Sequence, residues 1–189
     1  NHVHRMGFDA DVLSYRHHYH FSYRIKRKIA GKPKVSIIIP FKDKAAMLRK
    51  CLESVWNKST YENFEIILIN NQSSESATNL YLSEIKSKVR LFQFERPFNY
   101  SAINNFGAAQ AFGTHLLFLN NDTEVITPDW IESLLEHSQR PDIGAVGCKL
   151  LYPNNTIQHA GIILGASTAI QATATITCGH SFRYLLDQA

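Results

Sequence analysis

An α/β fold, with a mostly parallel sheet and helices on both faces, follows from three features of the chain. Short β-branched runs at 35–39 and 64–69 are apolar at nearly every position, which suits strands buried on both faces of a parallel sheet. Stretches with apolar residues at helical spacing separate such runs, so strands and helices alternate and right-handed βαβ units are implied. The strand candidates end in polar clusters, and open α/β sheets bind ligands outside the carboxyl ends of their strands.

Each element can be justified in order. Tyr19, Phe21, Tyr23 and Ile25 alternate with His20, Ser22, Arg24 and Lys26, the period-2 pattern of a half-buried strand. After the Gly31-Lys32-Pro33-Lys34 turn, Val35-Ser36-Ile37-Ile38-Ile39 reads as a buried strand ended by Pro40. Met47, Leu48, Cys51, Leu52 and Val55 place an amphipathic helix over 44–57. A second strand over 64–69 is closed by Asn70-Asn71-Gln72-Ser73-Ser74, a helix covers 75–86, and a third strand covers 89–94. Ser101 is expected to cap a helix running to Phe112, with Gly113 as its C-terminal stop. A fourth strand spans 115–119, and Thr127-Pro128 is expected to open a helix through Ser138.

The chain has 189 residues, of which 44% are hydrophobic, enough for a packed core and too many for a disordered or collagen-like chain. Its net charge of +4 is unevenly placed. The first 34 residues hold eight Lys or Arg against Asp9 and Asp11, a surplus of +6, so the remainder carries −2. A basic arm without a recognition helix or a pattern of stacking aromatics predicts no nucleic-acid partner. The run Arg24–Lys28 reads as an exposed face, with peripheral contact to an anionic membrane as the sharper alternative. His17, His18 and His20 read as a solvated strand face, since no Cys or carboxylate nearby completes a metal site. Cys51, Cys148 and Cys178 have no C-x-x-C spacing and read as buried free thiols of a reducing compartment, which places the chain in the cytoplasm. No apolar run reaches the roughly 18–20 residues of a membrane-spanning helix. Three segments are expected: the arm with its strand over 1–34, a ligand-binding domain over 35–165, and an atypical Ala/Thr-rich tail over 166–189.

The strand-end clusters Pro40-Phe41-Lys42-Asp43, Asn70-Asn71-Gln72-Ser73 and Asn120-Asn121-Asp122-Thr123-Glu124 should converge on one edge. Asn and Ser offer neutral donors and acceptors suited to a base and a ribose. No glycine-rich phosphate loop is present, so a divalent cation (Mg²⁺ or Mn²⁺) is the expected means of neutralising a diphosphate, with Asp122 its central ligand. A capping Asp is the bland alternative for Asp122, and an Asx-turn for Asn70 and Asn71. Glu124 reads as a support to the ligands or as a solvated carboxylate; His159 reads as a structural residue, with an acceptor-facing role as the sharper alternative.

Several stretches taken together resemble family 2 glycosyltransferases, in particular bacterial rhamnosyltransferase-like and O-antigen-assembly members. They are Val35-Ser36-Ile37-Ile38-Ile39-Pro40, the run 64–69 with its Asn-Ser loop, Phe98-Asn99-Tyr100-Ser101-Ala102-Ile103-Asn104-Asn105 and Phe118-Leu119-Asn120-Asn121-Asp122, followed by Thr127-Pro128-Asp129-Trp130, Ile143-Gly144-Ala145-Val146-Gly147 and the segment 151–161. The resemblance covers about residues 19–165 in order and implies a GT-A fold, a nucleotide-diphosphate sugar donor, a divalent cation and transfer with inversion to a glycan or lipid-linked glycan. By its motifs, Asp122 matches the last carboxylate of a D-x-D metal motif, whose first Asp is replaced here by Asn120. Asn70 stands where many members have a base-contacting Asp, Pro40 and Phe41 match the first donor loop, and Asn104 and Asn105 match the helix that closes over the nucleotide. Lys42, Asn71, Ser73 and Asn121 complete the expected donor site, and His159 is the acceptor-side candidate. The family's general base is a carboxylate in the acceptor half, which the resemblance places beyond Ala189, so the chain is expected to be truncated or altered at its end. The implied activity is hexosyl transfer, with rhamnose the first candidate, in cell-surface polysaccharide synthesis at the inner face of the membrane. The alternative is a non-catalytic nucleotide-sugar-binding module or inactive remnant.

Overall fold

In the computed structural model, which describes residues 2–7, 9–17, 20–160 and 178–184, the run from Val35 forms the central strand of a parallel sheet. In chain order the elements are α1 (His2–Arg5), β1 (Ala10–His17), β2 (His20–Arg27), β3 (Val35–Phe41), α2 (Ala45–Lys58), β4 (Phe64–Asn70), α3 (Ser76–Ile85) and β5 (Arg90–Gln93). There follow α4 (Tyr100–Ala108), β6 (His115–Phe118), β7 (Thr123–Val125), α5 (Trp130–Ser138), β8 (Cys148–Leu151), β9 (Ile157–His159) and β10 (Cys178–Tyr184).

The principal sheet has the order β5-β4-β3-β6, with every neighbouring pair parallel. Period-2 alternation divides its side chains between two cores. Ile37, Ile39, Phe41, Ile66 and Leu68 join Leu48, Cys51, Leu52 and Val55 of α2, Tyr81 and Ile85 of α3 and Trp130 of α5. Ile38, Ile67 and Ile69 face the other way, onto Phe94 and Ile103. The predicted α/β sheet with helices on both faces is therefore the observed one. A second sheet, β7-β10-β8-β9, is mixed: β10 runs antiparallel to β7 and parallel to β8. The tail expected at 166–189 lies outside the described residues except for the backbone of β10.

Several boundaries differ from expectation for physical reasons. Pro40 does not end its strand: β3 continues to Phe41, because β6 pairs only as far as Ile38 and leaves Pro40 beyond the ladder on that side. The cap of α4 is Asn99, whose Oδ1 accepts the N–H of Ala102 at 2.9 Å, and Ser101 lies inside the helix. That helix stops at Ala108, well before Phe112, so Gly113 is no helix stop. Gly113 instead lets the chain pass tightly over β3, since a Cβ there would lie 2.6 Å from the carbonyl oxygen of Lys34 and 2.7 Å from the nitrogen of Ser36. Likewise α5 starts at Trp130, two residues after Pro128. Its first turn is anchored from outside: Trp130 Nε1 donates to Ser59 Oγ, and the Pro128 carbonyl accepts from Thr60.

The close passage at Gly113 belongs to a buried polar network at the amino ends of the strands. Ser36 Oγ donates to Glu65 at 2.7 Å and accepts the Gly113 N–H at 2.8 Å, while Phe112 N–H and Arg90 also donate to Glu65. Burial pushes the Glu65 carboxyl up, but the bonds from Ser36, Phe112 and Arg90 outweigh it and hold it below its ordinary value.

The basic arm is a hairpin, with one strand more than expected: β1 pairs β2 from Ala10↔Arg27 to His17↔His20. His18 and Tyr19 lie outside the described residues, as do the side chains of His17 and His20. Three of the arm's cations are engaged. Arg24 donates to Ser133 and to the buried Glu136 of α5, Lys26 faces Asp129, and Lys28 pairs with Asp9. Gln139 bridges the same junction, accepting from the Ala30 N–H and donating to the Lys28 carbonyl. Burial raises the Glu136 carboxyl above its ordinary value, and the charges of Arg24 and Lys26 oppose that rise.

Two outcomes are expected. Gly113→Ala should lower stability by roughly 1–3 kcal/mol in denaturant unfolding, because backbone atoms cannot yield to the added methyl. Arg24→Ala should cost roughly 1–3 kcal/mol near neutral pH by leaving Glu136 buried without its cation. A raised carboxyl favours the fold when protonated, so this loss should grow as pH rises through the Glu136 titration and shrink on acidification; a pH-independent loss would exclude this cause.

Candidate active site

The strand order turns back at β3: the chain leaves β3 for β4 and β5 on one side and returns to β6 on the other. The carboxyl ends of β3 and β6 therefore flank a topological switch point, where such sheets open a crevice. A cleft of about 280 Å³ lies there, lined by Pro40, Phe41 and Lys42 after β3, Asn120, Asn121 and Asp122 after β6, and Asn71, Phe98, Tyr100 and Ile103.

Its two rims are braced differently. On the β3 side, Asp43 and Lys44 both hold left-handed backbone, φ 52° and 56°, a conformation non-glycine residues adopt at a cost. The neighbouring loop holds them there. Ser73 Oγ accepts the Asp43 N–H at 2.7 Å, Asp43 Oδ1 accepts the N–H groups of Ser74 and Glu75, and Glu75 accepts the Lys44 N–H. Ser73 thus serves the shape of the first loop. Asn70 Oδ1 accepts the Ser73 N–H at 2.9 Å, three residues on rather than the two of an Asx-turn. Asn71 lines the cleft, and its amide donates to the carbonyls of Phe94 and Arg96.

On the β6 side, α2 supports the loop from beneath. The Asn120 carbonyl accepts Thr123 Oγ1 at 2.7 Å and the Cys51 thiol at 3.6 Å, while Ser54 Oγ accepts the Val125 N–H. Burial pushes the Cys51 thiol up to about 12, so it stays protonated and acts as a packed donor. Cys148 is half-buried, and Cys178's side chain lies outside the described residues. Glu124 is not simply solvated: it pairs with Lys58 at 2.7 Å and Lys50 at 3.6 Å on α2. The Lys58 hydrogen bond holds its carboxyl below the usual value.

Asp122 differs. Its Oδ1 is buried with no hydrogen-bond partner, and desolvation raises its carboxyl above the ordinary value, against the lowering effects of its own backbone N–H and of Lys44. Among the described residues it is the one carboxylate lining the cleft, and no group of three His, Cys, Asp or Glu there could hold a metal by itself. A carboxylate and an amide oxygen, Asp122 and Asn120, fit a hard divalent cation whose other positions are filled by phosphate oxygens and water. Five expected residues are not among those lining the cleft: Asn70 and Ser73, which brace the loop, and three more. Asn104 is buried, donating to the Tyr100 carbonyl with its Oδ1 unpartnered, Asn105 is exposed on α4, and His159 lies on β9 of the second sheet. Phe98 and Tyr100, given no role by sequence, do line the cleft; two aromatics flanking the cap of a helix after a strand end were the available signal.

Residues 36–164 match the model of glycosyl transferase family 2, and the chain belongs to that family. It is 44% identical over 165 residues to the O-antigen biosynthesis protein RfbC of Myxococcus xanthus, covering 87% of this chain and 13% of that protein. It is also 44% identical over 148 residues to an uncharacterized protein, y4gI, of Sinorhizobium fredii, covering 77% of this chain and 16% of the relative. The chain thus spans about one seventh of the length of these relatives. Among solved structures it is similar to the mannosyltransferase PcManGT of Pyrobaculum calidifontis in complex with GDP-Man and Mn²⁺, with a TM-score of 0.55 and 18% identity over 62% of this chain and 36% of that one. The fold is of the GT-A type.

An elevated carboxyl destabilises the fold once ionised, so the Asp122 contribution is lost as pH rises through its titration. Asp122→Asn should therefore raise the Tm of the metal-free chain by about 1–2 °C near neutral pH. The gain should vanish below about pH 4, where both states carry a neutral acid; a scan of Tm against pH reads this directly.

Proposed function

We propose that this chain carries the donor-binding half of a divalent-cation-dependent, inverting glycosyltransferase. The sugar, rhamnose as first candidate, would move from a nucleotide diphosphate to a glycan or lipid-linked glycan in cell-surface polysaccharide synthesis. The observation that carries the reading is Asp122, a desolvated carboxylate with an unpartnered oxygen at the switch-point cleft. The similarity to an O-antigen biosynthesis protein supports the polysaccharide context, and the neighbour solved with GDP-Man and Mn²⁺ supports a nucleotide sugar and a cation.

In this reading Asp122 and Asn120 hold the cation, Mg²⁺ or Mn²⁺, through hard oxygen atoms. When bound, the cation supplies charge neutralisation to the departing diphosphate. Lys42 adds positive charge to the same cleft, and Asn121 offers neutral donors and acceptors to the ribose and phosphates. Asn70, Asn71 and Ser73 act chiefly by shaping the first loop and the wall behind the base, and Pro40 and Phe41 form its floor. Asn104 and Asn105 lie on the helix behind that wall, and His159 on the second sheet is the acceptor-side candidate. None of the residues lining the cleft is assigned as the base that takes the acceptor's hydroxyl proton. In this reading contact with the inner membrane face is peripheral; no helix of the described residues is long and apolar enough to cross a membrane.

Calorimetric titration of UDP, GDP and dTDP, with and without Mn²⁺, tests the reading. Wild-type chain should bind one of them in a Mn²⁺-dependent manner, and Asp122→Ala should weaken that binding by roughly 10–100-fold. Equal, metal-independent affinity in both proteins would refute it.

A further inference from the structure

Phe98 and Tyr100 are 67% and 50% exposed, and both line the cleft that contains Asp122. Their aromatic neighbours are covered: Phe92, Phe94 and Phe106 pack on the Ile38, Ile67 and Ile69 core, with the Phe94 and Phe106 ring centroids 5.6 Å apart. Two large rings are thus left in water beside the candidate site. Their backbone is pinned on both sides. Asn71 donates to the carbonyls of Phe94 and Arg96 before them; Asn99 caps the helix that begins at Tyr100, and Asn104 donates to the Tyr100 carbonyl. Rings on a pinned backbone lose little further freedom when a ligand covers them, which favours their use as a binding surface.

We propose that Phe98 and Tyr100 form the stacking face for the planar base of the nucleotide donor; this rests on the donor reading above. The other walls cannot supply that face. Phe41 is buried, Pro40 has no π-system, and Asn120, Asn121 and Asp122 offer hydrogen bonds or charge. An exposed aromatic ring binds any base through its π-face, leaving discrimination between bases to groups that meet the base edge. The diphosphate then extends from the stacked base toward Asp122 across the same cleft. Asn71, Asn99 and Asn104 act as positioning residues, through the backbone they hold.

The full chain is titrated with Mn²⁺ and each of three probes: the nucleoside diphosphate that binds wild type best, inorganic pyrophosphate, and a hexose 1-phosphate. Phe98→Ala and Tyr100→Ala should each weaken the nucleoside diphosphate roughly 5- to 150-fold and leave pyrophosphate unchanged. Tyr100→Phe should bind as wild type does. The base protons of the bound nucleotide should shift upfield in NMR spectra of wild type through the ring currents, and lose that shift in the alanine variants. Unchanged nucleotide affinity in both alanine variants would overturn the stacking face alone. Equal loss for pyrophosphate would overturn it too, by showing general damage to the site. Loss confined to the hexose 1-phosphate would overturn it in favour of a sugar on the rings. Wild-type chain that binds pyrophosphate and no nucleoside diphosphate would overturn the donor reading and the stacking face together.

Discussion

Strand β3 is covered on both faces and paired on both edges, and each wall of the cleft is positioned from it. Its residues from Val35 to Ile39 are almost wholly excluded from water, with Ile37 and Ile39 serving one core and Ile38 the other. Burial of that run is worth about 1.5–3 kcal/mol per large aliphatic side chain, so neither register nor direction can slip without losing several of them. With β3 held, its carboxyl end delivers Pro40, Phe41 and Lys42 to one side of the crevice. Its pairing with β6 delivers Asn120 to Asp122 to the other side.

The charged groups fall into two sets on this frame. Glu65, Glu124 and Glu136 are each answered by cations or hydrogen bonds, and each joins elements distant in sequence. Asp122 is left with a buried oxygen unanswered. Leaving a carboxylate oxygen desolvated at a crevice costs the fold some stability, and such groups cluster at binding sites. The charge of the arm has a related explanation. Arg24 and Lys26 meet acids of α5, and Lys28 meets Asp9 at the base of the hairpin, so part of the arm's charge is answered within the molecule.

Much of the frame was legible because it rests on periodicity. The strands of the parallel sheet and the helices between them lie within a few residues of where apolar spacing puts them, and the strand-end clusters do meet where a doubly wound sheet requires. The misses have two causes. Asn99 rather than Ser101 caps α4, a local choice between two good caps two residues apart. Pro128 precedes α5 without opening it, and Gly113 marks a close passage instead of a helix end. These two were decided by partners far along the chain: Ser36 for Gly113, and Ser59 and Thr60 for the start of α5.

The chain by itself determined the fold class, the family and the placing of Asp122 in the loop at the carboxyl end of a parallel strand, because hydrophobic period and motif order are properties of neighbouring residues. Only the tertiary structure decided which polar residues remain available. Asn70 and Ser73 turn their hydrogen-bonding groups to the loops, Asn71 holds the segment after β5, and Glu124 is taken by two lysines, while Phe98 and Tyr100 come to line the cleft. A polar side chain binds a ligand only with the capacity its own fold has not already used, and that remainder is set by contacts across the whole sequence.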